Sequence, residues 1–219
     1  MAIGVFGGTF DPVHIGHLRL AVELLELVPL RRMLLVPAAD PPHRERPHAA
    51  ARHRLAMLSL AVAGEPRLAV DRRELDRPGP SYTYDTLASL RAELGPAEPL
   101  CLCLGLDAFA ELATWHRWRE LAELAHLVVA ARPGAALPRA GPLASWLGTR
   151  RAPADALHRR PAGLVHLAAI PLLPVSATEL RRRLAAGRSV RYLTPDPVID
   201  YIRAHGLYGA DPSPEVTPP

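Results

Sequence analysis

The chain has 219 residues, of which 49% are hydrophobic and 22% charged, so its length and composition suit one globular domain with a substantial core. Its net charge of +4 comes from arginines dispersed along the sequence, since lysine is absent. With only 5% aromatic residues, this pattern favours a pocket for a small polyanion over a surface for nucleic acid. The first residues lack the charge and apolar length of a secretion signal, and no apolar run approaches about 18 residues, so we expect a cytoplasmic protein that binds no membrane.

Short apolar runs alternate with amphipathic segments, which predicts an α/β fold with a doubly wound, mainly parallel sheet. The predicted strands are 2–6, 32–37, 68–71, 100–104, 127–131 and 164–168. The predicted helices are 16–27, 50–61, 83–94, 108–112, 119–124, 177–186 and 197–205. We expect a single domain over 1–210, with a variable surface excursion at 134–161, a small helical portion at 176–208 and a disordered tail at 211–219.

The first predicted strand leads into the run Gly7-Gly8-Thr9-Phe10-Asp11-Pro12-Val13-His14-Ile15-Gly16-His17. Glycines at such a turn let backbone N–H groups approach an anion, and the helix that follows favours negative charge at its N-terminus. His14 and His17, three residues apart, can place their rings on one helix face. The run therefore predicts a phosphate site, although it is neither a P-loop nor a dinucleotide fingerprint. A zinc site formed by the two histidines and Asp11 is the alternative, but such a site needs about three or four protein ligands and no obvious complement is present.

The ends of parallel strands indicate where a ligand would bind. The Gly7 turn follows the first strand, the Pro41 loop follows the second, and Gly105 follows the fourth, so all three should meet at one cleft. Cys101 and Cys103 alternate along the fourth strand and are predicted to pack in the core.

The Gly7–His17 run resembles the signature of the nucleotidylyltransferase superfamily, in which the His-x-Gly-His element binds ATP phosphates. Further segments resemble bacterial nicotinate-nucleotide adenylyltransferases, and they follow the family's order over nearly the whole chain. These segments are Pro41-Pro42-His43-Arg44, Ser81-Tyr82-Thr83-Tyr84-Asp85-Thr86-Leu87, Gly105-Leu106-Asp107 with Trp115, Arg132-Pro133-Gly134 and Val175-Ser176-Ala177-Thr178-Glu179-Leu180-Arg181. Arg44 replaces the family's lysine and Ala177 its second serine.

The resemblance implies a Rossmann-like nucleotidylyltransferase fold and adenylyl transfer from ATP to nicotinate mononucleotide, with Mg²⁺ carried on the ATP phosphates and no metal held by the protein. It implies His14 and His17 as catalytic residues. The implied ATP-binding residues are Gly7, Gly8, Thr9, Phe10, Gly105, Asp107, Arg132, Ser176, Thr178 and Arg181. The implied mononucleotide-binding residues are His43, Arg44, Tyr82, Thr83, Thr86, Trp115 and His116. The protein could act as a monomer or a homo-oligomer.

Other interpretations stay open at this stage. Another small adenylyl- or cytidylyltransferase, such as a pantetheine-phosphate adenylyltransferase, would share both histidines but would not need Trp115 or the Ser81–Leu87 segment. A nucleotide sensor or nucleic-acid-binding module could keep the fold without turnover. Individual residues also have structural interpretations: Trp118 fits a core position, and Ser176 and Thr178 fit a helix N-cap.

Overall fold

The computed structural model describes residues 1–39, 46–132, 134–135 and 140–210. Six strands form one parallel sheet in the order β3-β2-β1-β4-β5-β6, which confirms the predicted doubly wound α/β class. The strands are β1 Ala2–Gly8, β2 Leu30–Pro37, β3 Leu68–Val70, β4 Leu100–Gly105, β5 His126–Ala131 and β6 Val165–Ala169. The strand order reverses between β1 and β4, so the predicted cleft lies where such sheets bind ligands.

Helices cover both faces of the sheet. They are α1 Ile15–Leu27, α2 Ala51–Val62, α3 Thr83–Leu94, α4 Leu106–Ala110, α5 Leu121–Leu124, α6 Pro142–Gly148, α7 Ala177–Ala185 and α8 Asp196–Ala204. Short 3₁₀ turns occupy Leu112–Thr114, Trp118–Glu120, Ala154–Ala156 and Leu207–Gly209. The predicted helix 108–112 begins two residues earlier, and the predicted helix 119–124 divides into a 3₁₀ turn and α5. No helix in the described part of the chain is long and apolar enough to cross a membrane.

Each face of the sheet buries its own apolar cluster. Along β1, Phe6 packs with α1, α2, α7 and α8, whereas Ile3 and Val5 face the opposite cluster formed with α3 to α6. Cys101 and Cys103 are both buried on the Phe6 side, as predicted, and burial raises the pKa of the Cys101 thiol to about 12. These thiols are therefore core residues with low reactivity.

The predicted excursion at 134–161 contributes to the core through α6. Leu143, Trp146 and Leu147 are buried, and the Trp146 ring packs at 63° to that of Trp118 with the centroids 5.6 Å apart. Trp118 is 8% exposed, in agreement with the predicted core position. The predicted tail at 211–219 lies outside the described residues.

Candidate active site

The turn between β1 and α1 is built around the buried ring of Phe10. This residue has a φ of 49°, in the left-handed region, and its ring is held edge-on by Phe6 at 5.8 Å and by His17 at 5.0 Å. A Cβ at Gly8 would lie 3.0 Å from the Phe10 ring, so glycine is needed there for packing. A Cβ at Gly7 would meet no atom within 4 Å, which leaves the Gly7 backbone open to a ligand.

The two histidines of the turn form a stacked pair. The centroids of the His14 and His17 rings lie 3.7 Å apart, and the ring planes are inclined at 24°. The backbone N–H of His14 donates to His17 Nδ1 at 3.3 Å. His17 Nδ1 is thus an acceptor, which places the proton of its neutral ring on Nε2. Burial lowers the pKa of His14 to about 4, so that ring is neutral at pH 7.

His14 packs directly over Gly16. A Cβ at Gly16 would lie 3.0 Å from both Cε1 and Nδ1 of His14, which explains the glycine between the two histidines. Nδ1 of His14 is buried and makes no hydrogen bond with any residue that the structure describes. A buried ring nitrogen without a partner is a position where an approaching ligand atom could restore a lost hydrogen bond.

The N-terminus of α7 lies beside that of α1. Ser176 caps α7 by accepting the Glu179 N–H at 3.2 Å, as its helix-cap interpretation predicted. A Cβ at Gly16 would also lie 3.4 Å from the Val175 carbonyl oxygen, so the two helices begin close together. Two helix N-termini next to an open glycine backbone form a strong site for a phosphate group.

Arg181 connects α7 to the phosphate turn. Its Nη1 donates to the Asp11 carbonyl oxygen at 2.7 Å, and its Nη2 donates to Thr178 Oγ1 at 3.3 Å. The guanidinium therefore already supports the turn and can also present charge to a ligand, since these two bonds use only part of its five donors.

The Asp11 side chain is a structural anchor that sequence reasoning missed. It is 4% exposed and accepts hydrogen bonds from the N–H groups of His48 at 2.7 Å and Ala49 at 3.1 Å. The Tyr208 hydroxyl donates to the same carboxylate at 2.7 Å. Thr194 also reaches the turn, because its Oγ1 donates to the Val13 carbonyl oxygen at 2.8 Å. Residues near the end of the described chain thus hold the turn in shape.

Arg54 is a second missed residue and is only 1% exposed. Its guanidinium donates to the carbonyl oxygens of Thr9 at 2.8 Å, Ala49 at 3.2 Å and Ala39 at 3.3 Å. These bonds join the phosphate turn to the end of β2 and to the start of α2. Burial lowers the Arg54 pKa, and the charge of Asp11 opposes that shift.

The second half of the site lies around the start of α3. The rings of Tyr82 and His116 are 4.5 Å apart, which brings these two predicted mononucleotide residues together. Trp115 is partly buried and packs against the cluster on the α3 face. Thr83 begins α3, so its N–H belongs to the first turn of that helix.

Thr86 is buried, and both its N–H group and its hydroxyl already have partners within the protein. It is 3% exposed, its N–H donates to the Tyr82 carbonyl oxygen at 3.2 Å, and its hydroxyl donates to Glu74 at 2.6 Å. Glu74 also accepts a hydrogen bond from the Ser81 hydroxyl. Ser81 Oγ in turn accepts a hydrogen bond from the Ala39 N–H at 3.1 Å. Burial raises the Glu74 pKa, while these hydrogen bonds oppose the shift. Glu74 thereby joins the end of β2 to the start of α3.

Three further predicted residues occupy the same edge of the sheet. Gly105 ends β4 next to β1, Asp107 lies exposed in the first turn of α4, and Arg132 lies exposed just after β5. His43 and Arg44 fall outside the described residues. No group of three or more histidine, cysteine, aspartate or glutamate side chains suited to hold a metal ion occurs in the described ranges.

Comparisons with known proteins identify the relatives of this chain. Residues 5–183 match the cytidylyltransferase-like family. The chain is 54% identical over 209 residues to a probable nicotinate-nucleotide adenylyltransferase of Marinobacter nauticus, covering 95% of this chain and 97% of the relative. A relative of the same name from Pseudomonas putida is 51% identical, with 95% of each chain covered. The fold resembles a Plasmodium falciparum nicotinic acid mononucleotide adenylyltransferase complexed with NaAD, with a TM-score of 0.71, 18% identity, and 97% and 99% of the two chains covered.

Proposed function

Because the chain belongs to the nicotinate-nucleotide adenylyltransferase family, within the cytidylyltransferase-like group, we propose that it transfers the adenylyl group of ATP to nicotinate mononucleotide in NAD biosynthesis. The 5′-phosphate oxygen of the mononucleotide attacks the α-phosphorus of ATP, and the bond to the β-phosphate breaks. The products are deamido-NAD (nicotinate adenine dinucleotide) and pyrophosphate. The nucleophile is already an anion, so the protein's task is to align two polyanions and stabilise charge.

The observation that carries the proposal is the meeting of two helix N-termini at the Gly7 turn, beside the stacked imidazoles. On this side, we propose that the backbone from Gly7 to Phe10 surrounds the ATP phosphates. His14 and His17 donate to phosphate oxygens as charge develops in the transition state. Ser176, Thr178 and Arg181, at the start of α7, bind the departing pyrophosphate. Gly105, Asp107 and Arg132 complete the ATP site at the ends of β4 and β5.

The acceptor side is the α3 edge of the cleft. Tyr82, Thr83, Trp115 and His116 border the mononucleotide, and the large Trp115 ring can stack on a pyridine. Thr86 acts indirectly, because its hydroxyl proton is directed to Glu74. We also propose that His43 and Arg44, which follow β2 in the sequence, belong to this side.

Mg²⁺ is proposed to arrive with the ATP phosphates. Bound there, it would neutralise charge on the phosphate oxygens. The turn offers backbone N–H groups, imidazoles and a guanidinium, which bind phosphate oxygens rather than Mg²⁺. This set of donors fits an ion that is held by the ATP phosphates and not by the protein. A titration of activity against MgCl₂, with EDTA as the control, tests this requirement.

The decisive experiment is product identification with a panel of acceptors. The purified full-length protein is incubated with ATP, MgCl₂ and either nicotinate mononucleotide, nicotinamide mononucleotide or phosphopantetheine, and products are identified by mass spectrometry. We expect deamido-NAD and stoichiometric pyrophosphate with the first acceptor. Turnover confined to phosphopantetheine would refute the proposal in favour of the related transferase. ATP binding without pyrophosphate release from any acceptor would indicate a sensor instead.

A further inference from the structure

Three arginines lie close together between β3 and α3, and two of them are neutralised by direct ion pairs. Arg72 is 2.8 Å from Asp76, and Arg73 Nη2 is 2.7 Å from Asp71 and also reaches Glu93. The third is Arg77, which has no carboxylate within ion-pair distance in the part of the chain that the structure describes. Its charge is therefore not cancelled by a direct described contact.

Arg77 is directed at the first turn of α3. Nη1 lies 3.4 Å from Thr86 Oγ1, and Nη2 lies 3.4 Å from the Asp85 carbonyl oxygen. Both bonds are long and both acceptors are neutral, so the guanidinium keeps most of its donor capacity. This is the same helix start that carries Tyr82 and Thr83 on the acceptor side of the cleft.

Glu74 accepts hydrogen bonds from two hydroxyl groups at this edge. The hydroxyls of Ser81 and Thr86 both direct their protons to its buried carboxylate. Neither hydroxyl can then donate to a bound acceptor, since each has a single proton. The charge of Arg77 acts on Glu74, so the two groups are near enough to interact through space.

We infer that Arg77 is a specificity-determining residue that makes the acceptor site prefer an anionic pyridine substituent over a neutral one. This inference rests on the proposed function and names the feature that selects between its acid and amide acceptors. The two substituents have nearly the same shape but differ in charge, so shape alone separates them poorly. A guanidinium beside a partly buried site strengthens interaction with a carboxylate much more than with a carboxamide.

The test compares kcat/KM for nicotinate mononucleotide and nicotinamide mononucleotide in the wild type, Arg77→Gln and Arg77→Met. Arg77→Gln should lower the acid-to-amide ratio at least about tenfold, equivalent to about 1.4 kcal/mol, mainly by raising KM for the acid. KM for ATP should change less than about twofold, because the hydrogen bonds of Arg77 in the described part of the chain go to α3 and not to the phosphate turn. The matched control is Arg72→Gln, which breaks the exposed pair with Asp76 and should leave the ratio unchanged.

Arg77→Met retains the apolar stem and should reproduce the loss, whereas Arg77→Lys should keep most of the preference. An unchanged ratio in folded Arg77→Gln and Arg77→Met proteins would overturn the inference. So would an equal loss for both acceptors, since that result indicates a structural role. Failure of the proposed function looks different: the wild type itself would make no dinucleotide from either pyridine mononucleotide.

Discussion

Acidification should destabilise the protein through the buried imidazole of His14. Burial lowers its pKa from 6.5 to about 4. Between these values the unfolded chain binds a proton that the folded protein does not, so the free energy of unfolding falls as the pH falls. The contribution of the neutral His14 ring to the free energy of unfolding is fully present above pH 6.5 and is lost progressively down to pH 4. One pKa unit corresponds to 1.36 kcal/mol, so the loss attributable to this ring is about 3 kcal/mol.

The measurement is urea unfolding at 25 °C between pH 7.5 and 4.5 for the wild type and His14→Gln. Over this range the variant should lose about 2.5 kcal/mol less than the wild type, whatever its absolute stability, because it has no ring to protonate. Burial also lowers the pKa of His126, but that ring is present in both proteins and its effect cancels in the difference. His158→Gln, at an exposed position, controls for the substitution itself.

Parallel stability curves for the wild type and His14→Gln would refute this reasoning. They would mean that the imidazole is hydrated in solution and takes up a proton as readily in the folded protein as in the unfolded chain. The neutral ring assumed for the phosphate site at pH 7 would then lose its physical basis.

Four further substitutions test the site. His17→Ala should lower kcat at least about 100-fold in a coupled pyrophosphate assay while calorimetry shows mononucleotide affinity unchanged, because one lost transition-state donor costs about 2.7–4 kcal/mol. Gly16→Ala should lower kcat about tenfold, since its Cβ displaces the neighbouring imidazole, whereas Gly64→Ala, with open space around its Cβ, should not. Tyr208→Phe should lower the free energy of unfolding by about 1.5–3 kcal/mol in urea titrations, because it removes a donor to a buried carboxylate. Arg54→Lys should cost about 1–3 kcal/mol by the same assay and raise KM for ATP, because an ammonium cannot span all three carbonyl acceptors.

Each of these expectations has an outcome that contradicts it. Normal turnover by the His17 variant would remove the imidazole from the mechanism. Equal effects of alanine at Gly16 and Gly64 would show that ring position is unimportant. For Tyr208 and Arg54, an unchanged free energy of unfolding would mean that water replaces the lost donors, so the turn would not depend on them.

Most of the fold could be predicted because each element has a strong local signal. All six strands contain apolar runs, of which β1, β4 and β5 are almost entirely buried. Their positions agree with the prediction to within two residues at either end. Helix ends were less predictable than strand positions. The segment after β4 turns helical at Leu106 directly after Gly105, whereas its sequence periodicity begins only at Ala108. Local patterning therefore identifies an element better than it locates its ends.

The arrangement of side chains was predictable where residues close in sequence lie together, as in the stacked His14 and His17 rings. It was not predictable where a side chain bridges distant segments. Arg54 had a detectable signal, since it shares the buried face of α2 with Met57 and Leu58, at helical spacing. A charged residue in an apolar stripe predicts burial, but only the folded chain shows which carbonyl groups it meets. Thr86 illustrates the same limit, because its sequence position cannot show that Glu74 takes its hydroxyl proton.

The supports of the phosphate turn explain why the helical portion after β6 belongs to the catalytic unit. Arg181 binds the Asp11 carbonyl oxygen, Tyr208 binds the Asp11 carboxylate, and the Leu193 carbonyl oxygen accepts the Ile15 N–H at 2.9 Å, at the start of α1. The adjacent glycines Gly7 and Gly8 would leave the turn free to move if it were held only by its own strand and helix. Bonds from residues 181–208 restrict that freedom while the Gly7 backbone stays open, so the backbone can be both accessible to phosphate and fixed in position. Preorganised donors stabilise a transition state only when they do not have to be reoriented during the reaction, and here residues 181–208 provide that rigidity.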